Sequence, residues 1–255
     1  MGRSVRRVHV LAQERVTNRM HTEYHKWYSP NLHRDMEMKV YGHAGFPMLV
    51  FPTSMGRFYQ YADQGMIAAR QGKYENGELQ SFCVDSVDEE SWYNKHIPPH
   101  DRILRHMQYE QYLHQEVVPF MRTKNASSQF ATTGCSFGGY HSAAFGLKHP
   151  ELVSHIISFG GAFDIKQFLG GYYDDNAYYN NPIDFVAGSN DPAQLERFRH
   201  QKIVMATGET DICLDQNLRF AEVLSQKSVP FWLDVWGDGT GHDWRWWQAM
   251  AVKFL

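Results

Sequence analysis

The sequence predicts an α/β fold with a mostly parallel central sheet flanked by helices. Predicted strands alternate with predicted helices along much of the chain, which is typical of a parallel sheet. Segment 47–51 is a continuous apolar run, as expected for a strand that is buried on both faces. A third observation is the turn 134–138, in which two glycines flank a serine between a predicted strand and a predicted helix.

The chain has 255 residues, of which 43% are hydrophobic, and this is enough for one sizeable core. We therefore predict a single domain over residues 1–255. Residues 162–200 show no clear hydrophobic period and are rich in Tyr, Asn, Asp and Gly. Long irregular segments inside compact domains are often lids or binding loops, so we expect a lid-like insertion at about 162–200.

The first half of the chain is predicted to contain more strands than helices. Alternating or continuous apolar residues predict strands at 5–11, 22–29, 35–41, 47–51 and 79–84. A helical segment is expected at about 65–72. A longer helix is expected over 100–121, where apolar residues recur at steps of three and four.

The second half alternates between strands and helices. Apolar runs predict strands at 130–133, 152–159, 202–206 and 230–236. Helices are expected at 140–148, 214–226 and 243–255. In a parallel sheet of this kind, functional residues collect at the carboxyl ends of the strands.

The turn Gly134-Cys135-Ser136-Phe137-Gly138 fits the pattern Gly-x-Ser-x-Gly between a strand and a helix. In a nucleophile elbow with this pattern, a sharp turn pushes the serine hydroxyl out above the sheet. The serine backbone is strained, and side chains at positions 134 and 138 would collide with the neighbouring strand and helix. The alternative is a Gly/Ser-rich turn without a chemical role. Cys135 is interpreted as a small buried filler beside the nucleophile.

Asp211 and His242 follow later predicted strands. A serine hydroxyl needs a base to remove its proton, and a histidine base needs a carboxylate that fixes its tautomer. The order Ser, Asp, His along the chain is that of the α/β-hydrolases. We therefore predict Ser136 as nucleophile, His242 as base and Asp211 as the acid that orients His242.

Both later residues have alternatives. Glu209 and Asp215 are rival acids near Asp211, and Asp211 could instead cap the helix predicted at 214–226. His242 is one of 14 histidines. It is distinguished from the others by a Gly-His context directly after the last predicted strand.

Acyl transfer by a serine also requires an oxyanion hole. One donor is expected to be the backbone N–H of Phe137, the residue after the nucleophile. The second should come from the loop 52–56, after the buried strand 47–51. The sequence leaves Ser54 and Met55 as candidates, of which we choose Ser54, and we expect the Met55 side chain to contact substrate.

Aromatic residues make up 15% of the chain, and some of them are expected to line a substrate pocket. We predict that Trp92, which follows strand 79–84, borders the cleft. Phe168 and Tyr172, in the lid-like segment, are predicted to form an aromatic wall for an acyl or aryl group. The alternative is that these aromatics only pack the insertion onto the sheet.

Composition excludes several classes of function. The formal net charge of -3 argues against an electrostatic nucleic-acid binder. No apolar run reaches the roughly 18 residues of a membrane helix, and residues 8–12 are too short for the apolar core of a signal peptide. Three cysteines without metal-site spacing fit a reducing compartment better than a disulfide framework. We therefore expect a soluble, cytoplasmic protein.

No cofactor or metal is expected. The chain has neither a dinucleotide-binding Gly-x-Gly-x-x-Gly motif nor a phosphate-binding loop. The acidic stretch 174–176 fits no EF-hand spacing and is better explained as a solvated turn. The oligomeric state stays open, and a homodimer is compatible with the sequence.

From Tyr24 to its C-terminus the chain resembles the putative-esterase (esterase-D-like) family of the α/β-hydrolase superfamily. That family includes feruloyl esterases, S-formylglutathione hydrolase, enterochelin esterases and the mycolyltransferases. The resemblance rests on residues 134–140 with 147–150, the turn 208–211, Gly241-His242-Asp243-Trp244 with Trp247, and the elements 91–93 and 181–182.

The resemblance implies an α/β-hydrolase fold, Ser136, Asp211 and His242 as the catalytic triad, and a carboxylic ester as substrate. The sequence departs from many of these esterases in loop 52–56, which lacks their His-Gly. Our main hypothesis is a serine esterase that hydrolyses a small or medium ester through an acyl-enzyme. An acyltransferase with the same triad and a catalytically silent binding module are the alternatives.

Overall fold

The computed structural model describes residues 20–255. The strand predicted at 5–11 lies outside the described residues. The predicted α/β fold is confirmed, with a mostly parallel sheet flanked by helices. Among residues 20–255, no helix is both long enough and apolar enough to cross a bilayer.

The eight strands form one sheet in the order β1-β2-β4-β3-β5-β6-β7-β8. β1 pairs with β2 and β2 with β4 in antiparallel fashion, whereas all other pairs are parallel. The strands are β1 (Thr22–Ser29), β2 (Arg34–Tyr41), β3 (Phe46–Phe51), β4 (Leu79–Val84), β5 (Phe130–Cys135), β6 (Val153–Phe159), β7 (Lys202–Gly208) and β8 (Phe231–Trp236).

Helices cover both faces of the sheet. They are α1 (Gln60–Asp63), α2 (Gln71–Glu75), α3 (Pro99–Tyr112), α4 (Val118–Lys124), α5 (Phe137–Lys148), α6 (Asp175–Tyr179), α7 (Pro182–Gly188), α8 (Pro192–Arg199), α9 (Leu214–Gln226) and α10 (Trp244–Phe254). Alternate residues of a strand point to opposite faces. Accordingly, Leu49 of β3 packs into the larger apolar layer with Phe145 and Phe220, and Val50 packs into the other layer with Trp247.

The helix predicted at about 65–72 begins later than expected. Gly65 has a φ of 73°, which a right-handed helix does not allow. The chain therefore turns at Gly65, and a short 3₁₀ segment (Ala68–Arg70) leads into α2.

The helix predicted over 100–121 is present but interrupted. A π-helical turn (Leu113–Val117) separates α3 from α4. Pro119 explains the interruption, because it has no N–H for the carbonyl of Gln115 and its ring would clash with that carbonyl in a regular α-helix.

Segment 162–200 is more regular than its sequence indicates. It contains a 3₁₀ turn (Ile165–Phe168) and the short helices α6, α7 and α8. The side chains of Asp164, Asp174 and Asp191 cap three of these elements by accepting a backbone N–H. Each element is too short to show a hydrophobic period, which is why the pattern alone did not reveal them.

The first turn of α5 lies directly against the end of β3. A Cβ atom added to Gly138 would lie 2.6 Å from the carbonyl oxygens of Phe51 and Pro52. A Cβ added to Gly134 would lie 2.5 Å from the backbone of Gly138. The absence of these two side chains therefore brings β5, α5 and β3 into backbone contact, as the sequence predicts for this turn.

We expect Gly138→Ala to destabilise the protein by about 2 kcal/mol or more, because its Cβ meets backbone atoms that cannot move aside without shifting β3. Urea unfolding would measure this loss. Gly72→Ala is the control, since a Cβ at Gly72 meets no atom within 4 Å. Alanine favours a helix over glycine by at most about 1 kcal/mol, so the control should be neutral or slightly stabilising. Equal stability of the two variants would contradict the close approach.

Candidate active site

Ser136 occupies the turn between β5 and α5. Its φ of 55° and ψ of -120° are unfavourable for a residue with a side chain, at a cost of about 1–3 kcal/mol. The Ser136 N–H donates to Phe159 O at 2.8 Å, and the Ser136 carbonyl accepts from the N–H groups of Gly139 and Ala162. Three backbone hydrogen bonds thus hold the strained turn in place.

His242 bridges Ser136 and Asp211. The imidazole lies in the loop after β8, where its Nε2 is 2.8 Å from Ser136 Oγ. Its Nδ1 is 2.8 Å from Asp211 Oδ1. In this geometry a Nδ1–H donates to the carboxylate, and Nε2 is free to accept the serine proton. The structure therefore brings together all three residues that the sequence predicts.

Asp211 is the only one of the three candidate acids that bonds His242. Its carboxylate is buried in the turn after β7, where Oδ1 also accepts the Cys213 N–H at 2.7 Å. Glu209 instead accepts the Gly239 N–H at the surface, and Asp215 is exposed in the first turn of α9.

Trp247 of α10 packs edge-on against the imidazole of His242, with ring centroids 4.8 Å apart. Gly160, with a φ of 57°, lies next to both rings and has no side chain that would contact them. A Cβ on Gly160 would lie 2.6 Å from Asp211 Oδ2 and 3.1 Å from Trp247 Nε1. Trp247 and Gly160 therefore determine how closely the imidazole and the carboxylate can pack.

The amides of loop 52–56 differ in what they bond. The Thr53 N–H donates to Gln60 Oε1 at 2.9 Å, and the Met55 N–H donates to Asp88 Oδ2 at 3.1 Å. The Gly56 N–H donates to Thr53 O. By contrast, the Ser54 N–H has no acceptor among residues 20–255. Ser54 is thus the residue of this loop whose amide is available to a ligand.

The N–H of Phe137 is similarly available. Phe137 is the first residue of α5, and the first N–H groups of a helix have no acceptor within it. The Phe137 side chain is buried against Tyr93, with ring centroids 5.6 Å apart. The Tyr93 hydroxyl in turn donates to Ser54 Oγ at 2.6 Å. Tyr93 therefore links the two residues that were predicted to form the oxyanion hole.

The four residues that were predicted to contact substrate differ in how far their side chains are exposed. Met55 is 45% exposed, and Phe168 is half-buried against Phe137 and Tyr93. Tyr172 is exposed, and its hydroxyl donates to Asp174 Oδ2 at 2.8 Å.

Trp92 is the exception, and its predicted role as a substrate contact is wrong. Its side chain is 0% exposed, because it packs between His106 and Tyr140 and beneath Phe168. Trp92 thus supports the aromatic cluster from inside and does not line the cleft. Its position after a strand end gave no information on which way the indole would point.

A family model described as "Putative esterase" matches residues 74–253, which is more than half of the chain. The chain belongs to the putative-esterase family. Its enzyme class is therefore that of a serine carboxylic ester hydrolase, as the resemblance implied. A comparison with curated proteins finds no match.

Solved structures of esterases share the fold. A ferulic acid esterase is 14% identical, with a TM-score of 0.75 and coverage of 92% of this chain and 96% of that one. S-formylglutathione hydrolases from Agrobacterium tumefaciens and Staphylococcus aureus are each 16% identical, with TM-scores of 0.70 and 0.66. Each alignment covers 92% of this chain, with 93% and 97% of the respective hydrolase. These likenesses show the α/β-hydrolase fold of this esterase.

Two groups of side chains in the described part of the esterase have metal-ligand chemistry. Asp211, Cys213 and His242 form the first, in which the Asp211 carboxylate already bonds His242 Nδ1 and burial raises the pKa of the Cys213 thiol to about 12. The second consists of His114, His149 and Glu151 at the other end of α5. There the two imidazoles are stacked with ring centroids 4.7 Å apart, and His149 Nε2 lies 3.2 Å from Glu110 Oε1.

Sequence reasoning missed two buried polar residues beneath loop 52–56 of the esterase. Asp88 lies after β4, and His141 lies in the second turn of α5. Asp88 Oδ1 is 2.9 Å from His141 Nε2. A signal was present in the sequence, because His141 is the only histidine, and the only residue with a charged or basic side chain, between Phe137 and Leu147.

The three cysteines of the native esterase should not react with Ellman's reagent. All three are free and buried, and burial raises the pKa of the Cys135 thiol well above its usual range, so thiolate is scarce at pH 8. We expect activity to survive the treatment, and all three thiols to react after unfolding in guanidinium. Rapid modification of one thiol with matching loss of activity would instead make a cysteine the nucleophile.

Proposed function

We propose that this esterase hydrolyses a small or medium carboxylic ester with Ser136 as nucleophile, His242 as general base and Asp211 as the acid that orients His242. The observation that carries the proposal is the unbroken path from Ser136 Oγ through the imidazole to Asp211, with 2.8 Å at each contact. This distance is within the range required for proton transfer from the hydroxyl.

In the first step, Ser136 Oγ attacks the ester carbonyl carbon while His242 Nε2 accepts the hydroxyl proton. The tetrahedral intermediate then collapses, and His242 returns the proton to the departing alcohol. The buried Asp211 carboxylate stabilises the imidazolium that exists between these two transfers. Water attacks the acyl-enzyme by the same route, so the acid is released and Ser136 regains its proton.

We propose that the N–H groups of Ser54 and Phe137 stabilise the negative oxygen of both tetrahedral intermediates. The support is that each N–H has no acceptor among the described residues, whereas those of Thr53 and Met55 are both occupied. Removal of one such donor from an oxyanion hole typically lowers kcat by about 10²–10³-fold.

We further propose that residues 162–200 act as a lid of a single catalytic domain, with Phe168, Tyr172 and Met55 as substrate contacts. The support is the place of Phe168 beside Phe137 and the exposure of Met55 and Tyr172. The three free cysteines support a location in the reducing cytoplasm.

Ser136→Ala should lower kcat/KM for p-nitrophenyl acetate and butyrate by at least about 10³-fold, because the acyl-enzyme cannot form. Ser127→Ala is the matched control, since the Ser127 side chain bonds only the nearby Gln129 carbonyl at the surface, and it should keep full activity. A fluorophosphonate probe should label the wild type and the control but not Ser136→Ala. If the wild type hydrolyses short esters no faster than Ser136→Ala, the proposed function is wrong.

The same assay distinguishes hydrolysis from acyl transfer. We expect free acid to remain the main product when alcohols or sugars are added, since water attacks the acyl-enzyme. Transfer products that exceed the free acid would identify an acyltransferase that uses the same triad. A wild type that is folded but not labelled by the probe would identify a silent binding module.

Phe168→Ala should raise KM for aryl and medium-chain esters by about 3–10-fold with little change in kcat. Loss of an apolar contact made equally in the ground state and the transition state weakens binding alone. Tyr179→Ala is the control, because Tyr179 lies in the same segment and is 59% exposed. Equal KM values for the two variants across a series of acyl chain lengths would remove Phe168 from the substrate site.

A further inference from the structure

Loop 52–56 is held from below by a buried pair, Asp88 and His141, that the mechanism above does not use. The two side chains are 1% and 2% exposed. Asp88 Oδ1 accepts from His141 Nε2 at 2.9 Å, and Asp88 Oδ2 accepts from the Met55 N–H at 3.1 Å. Each carboxylate oxygen is thus occupied by a donor from a different part of the chain.

The pair joins the two parts of the proposed site. His141 belongs to α5, the helix that follows Ser136, while Met55 belongs to the loop after β3. Aromatic rings enclose the imidazole of His141, and they are those of Phe51, His106, Tyr109, Phe137 and Tyr140. Because these rings fix the imidazole, Asp88 and the Met55 amide are located relative to the nucleophile helix.

Stability alone explains neither the buried pair Asp88 and His141 nor the backbone conformation of Met55. A buried carboxylate has a desolvation cost of several kcal/mol, and apolar residues of similar size are often at least as stabilising as a buried polar pair. Met55 has a φ of 56°, and the left-handed region costs a residue with a side chain roughly 1–2 kcal/mol. Two costly features therefore meet at a single loop amide.

Together, the Asp88 carboxylate and the left-handed conformation of Met55 determine which backbone N–H of loop 52–56 is left without an acceptor. The bond to Asp88 turns the Met55 N–H towards the interior, and the Gln60 side chain does the same for the Thr53 N–H. The Ser54 N–H between them has no acceptor in the described chain. With Asp88 removed, the left-handed conformation of Met55 would lose the bond that holds it, and the Ser54 amide would lose its fixed direction.

We infer that Asp88 and His141 are positioning residues for the oxyanion hole, with Asp88 holding the Met55 amide and His141 holding Asp88. The inference rests on the proposed function, because it assigns a role to the Ser54 N–H. It concerns the tetrahedral intermediates and the transition states that lead to them, since the bound ester carries no oxyanion.

The test is to compare Asp88→Ala and His141→Phe with the wild type on p-nitrophenyl butyrate. We expect kcat to fall about 10–100-fold for Asp88→Ala, less than the full loss of an oxyanion donor, and KM to change less than about threefold. Affinity for an alkyl trifluoromethyl ketone, which forms a tetrahedral adduct with serine, should fall in parallel with kcat. His141→Phe should give a smaller change in the same direction.

Two variants separate positioning from a general structural role. Asp88→Asn keeps an oxygen that can accept the Met55 N–H, so it should restore most of kcat. Asp85→Ala is the matched control, because Asp85 is also 1% exposed and accepts from one side chain and one amide, Arg57 Nε at 2.7 Å and Phe58 N–H at 3.1 Å. Asp85→Ala should lower the unfolding midpoint and leave kcat within about twofold of the wild type.

Failure of the inference is distinguishable from failure of the proposed function. A wild type that is neither active nor labelled by fluorophosphonate overturns the proposed function. If the wild type is active and Asp88→Ala has the same kcat, the positioning role is wrong. It is also wrong if Asp85→Ala lowers kcat as much as Asp88→Ala does. Should Asp88→Ala not fold, Asp88→Asn and His141→Phe decide, because full kcat in His141→Phe contradicts the role. Faster amide hydrogen exchange at Met55 in His141→Phe would support it independently of activity.

Discussion

The approach of Gly138 to the carbonyl end of β3 is the contact on which the rest of the site depends. It brings the first turn of α5 against Phe51 and Pro52 without an intervening side chain. Because Ser136 begins that turn and loop 52–56 begins at Pro52, the proposed nucleophile and the loop amides share one backbone contact. Asp211 and His242 reach the same edge because β7 and β8 run parallel to β5.

Much of the site could be predicted because its chemistry lies at strand ends. Ser136, Asp211 and His242 each follow a strand whose apolar run is visible in the sequence, and a parallel sheet brings such ends together. No sequence pattern distinguishes Ser54 from Met55 as the oxyanion donor. The hydrogen bond from the Met55 N–H to Asp88, which supports the proposal for Ser54, depends on a contact between residues that are distant in sequence.

The predictions that the structure corrects share one physical origin, which is that they depend on interactions a local sequence pattern does not report. The burial of Trp92 depends on the aromatic residues around it, and no local pattern reports which way a side chain in a loop points. The short helices of 162–200 depend on caps such as Asp174 more than on an apolar face. The helix predicted at about 65–72 starts later because Gly65 has a positive φ, which glycine permits but does not require. In each case the deciding interaction is tertiary or conformational and does not recur with a period.

The order of the three site residues along the chain has a consequence for biosynthesis. A polypeptide that is made from its N-terminus acquires the serine with β5, the carboxylate only after β7, and the imidazole only after β8. A ribosome-bound chain that has not passed β8 therefore holds Ser136 without His242, its proposed base. Hydrolysis by the proposed triad would therefore begin late in translation, after the strands on both sides of Ser136 have been synthesised.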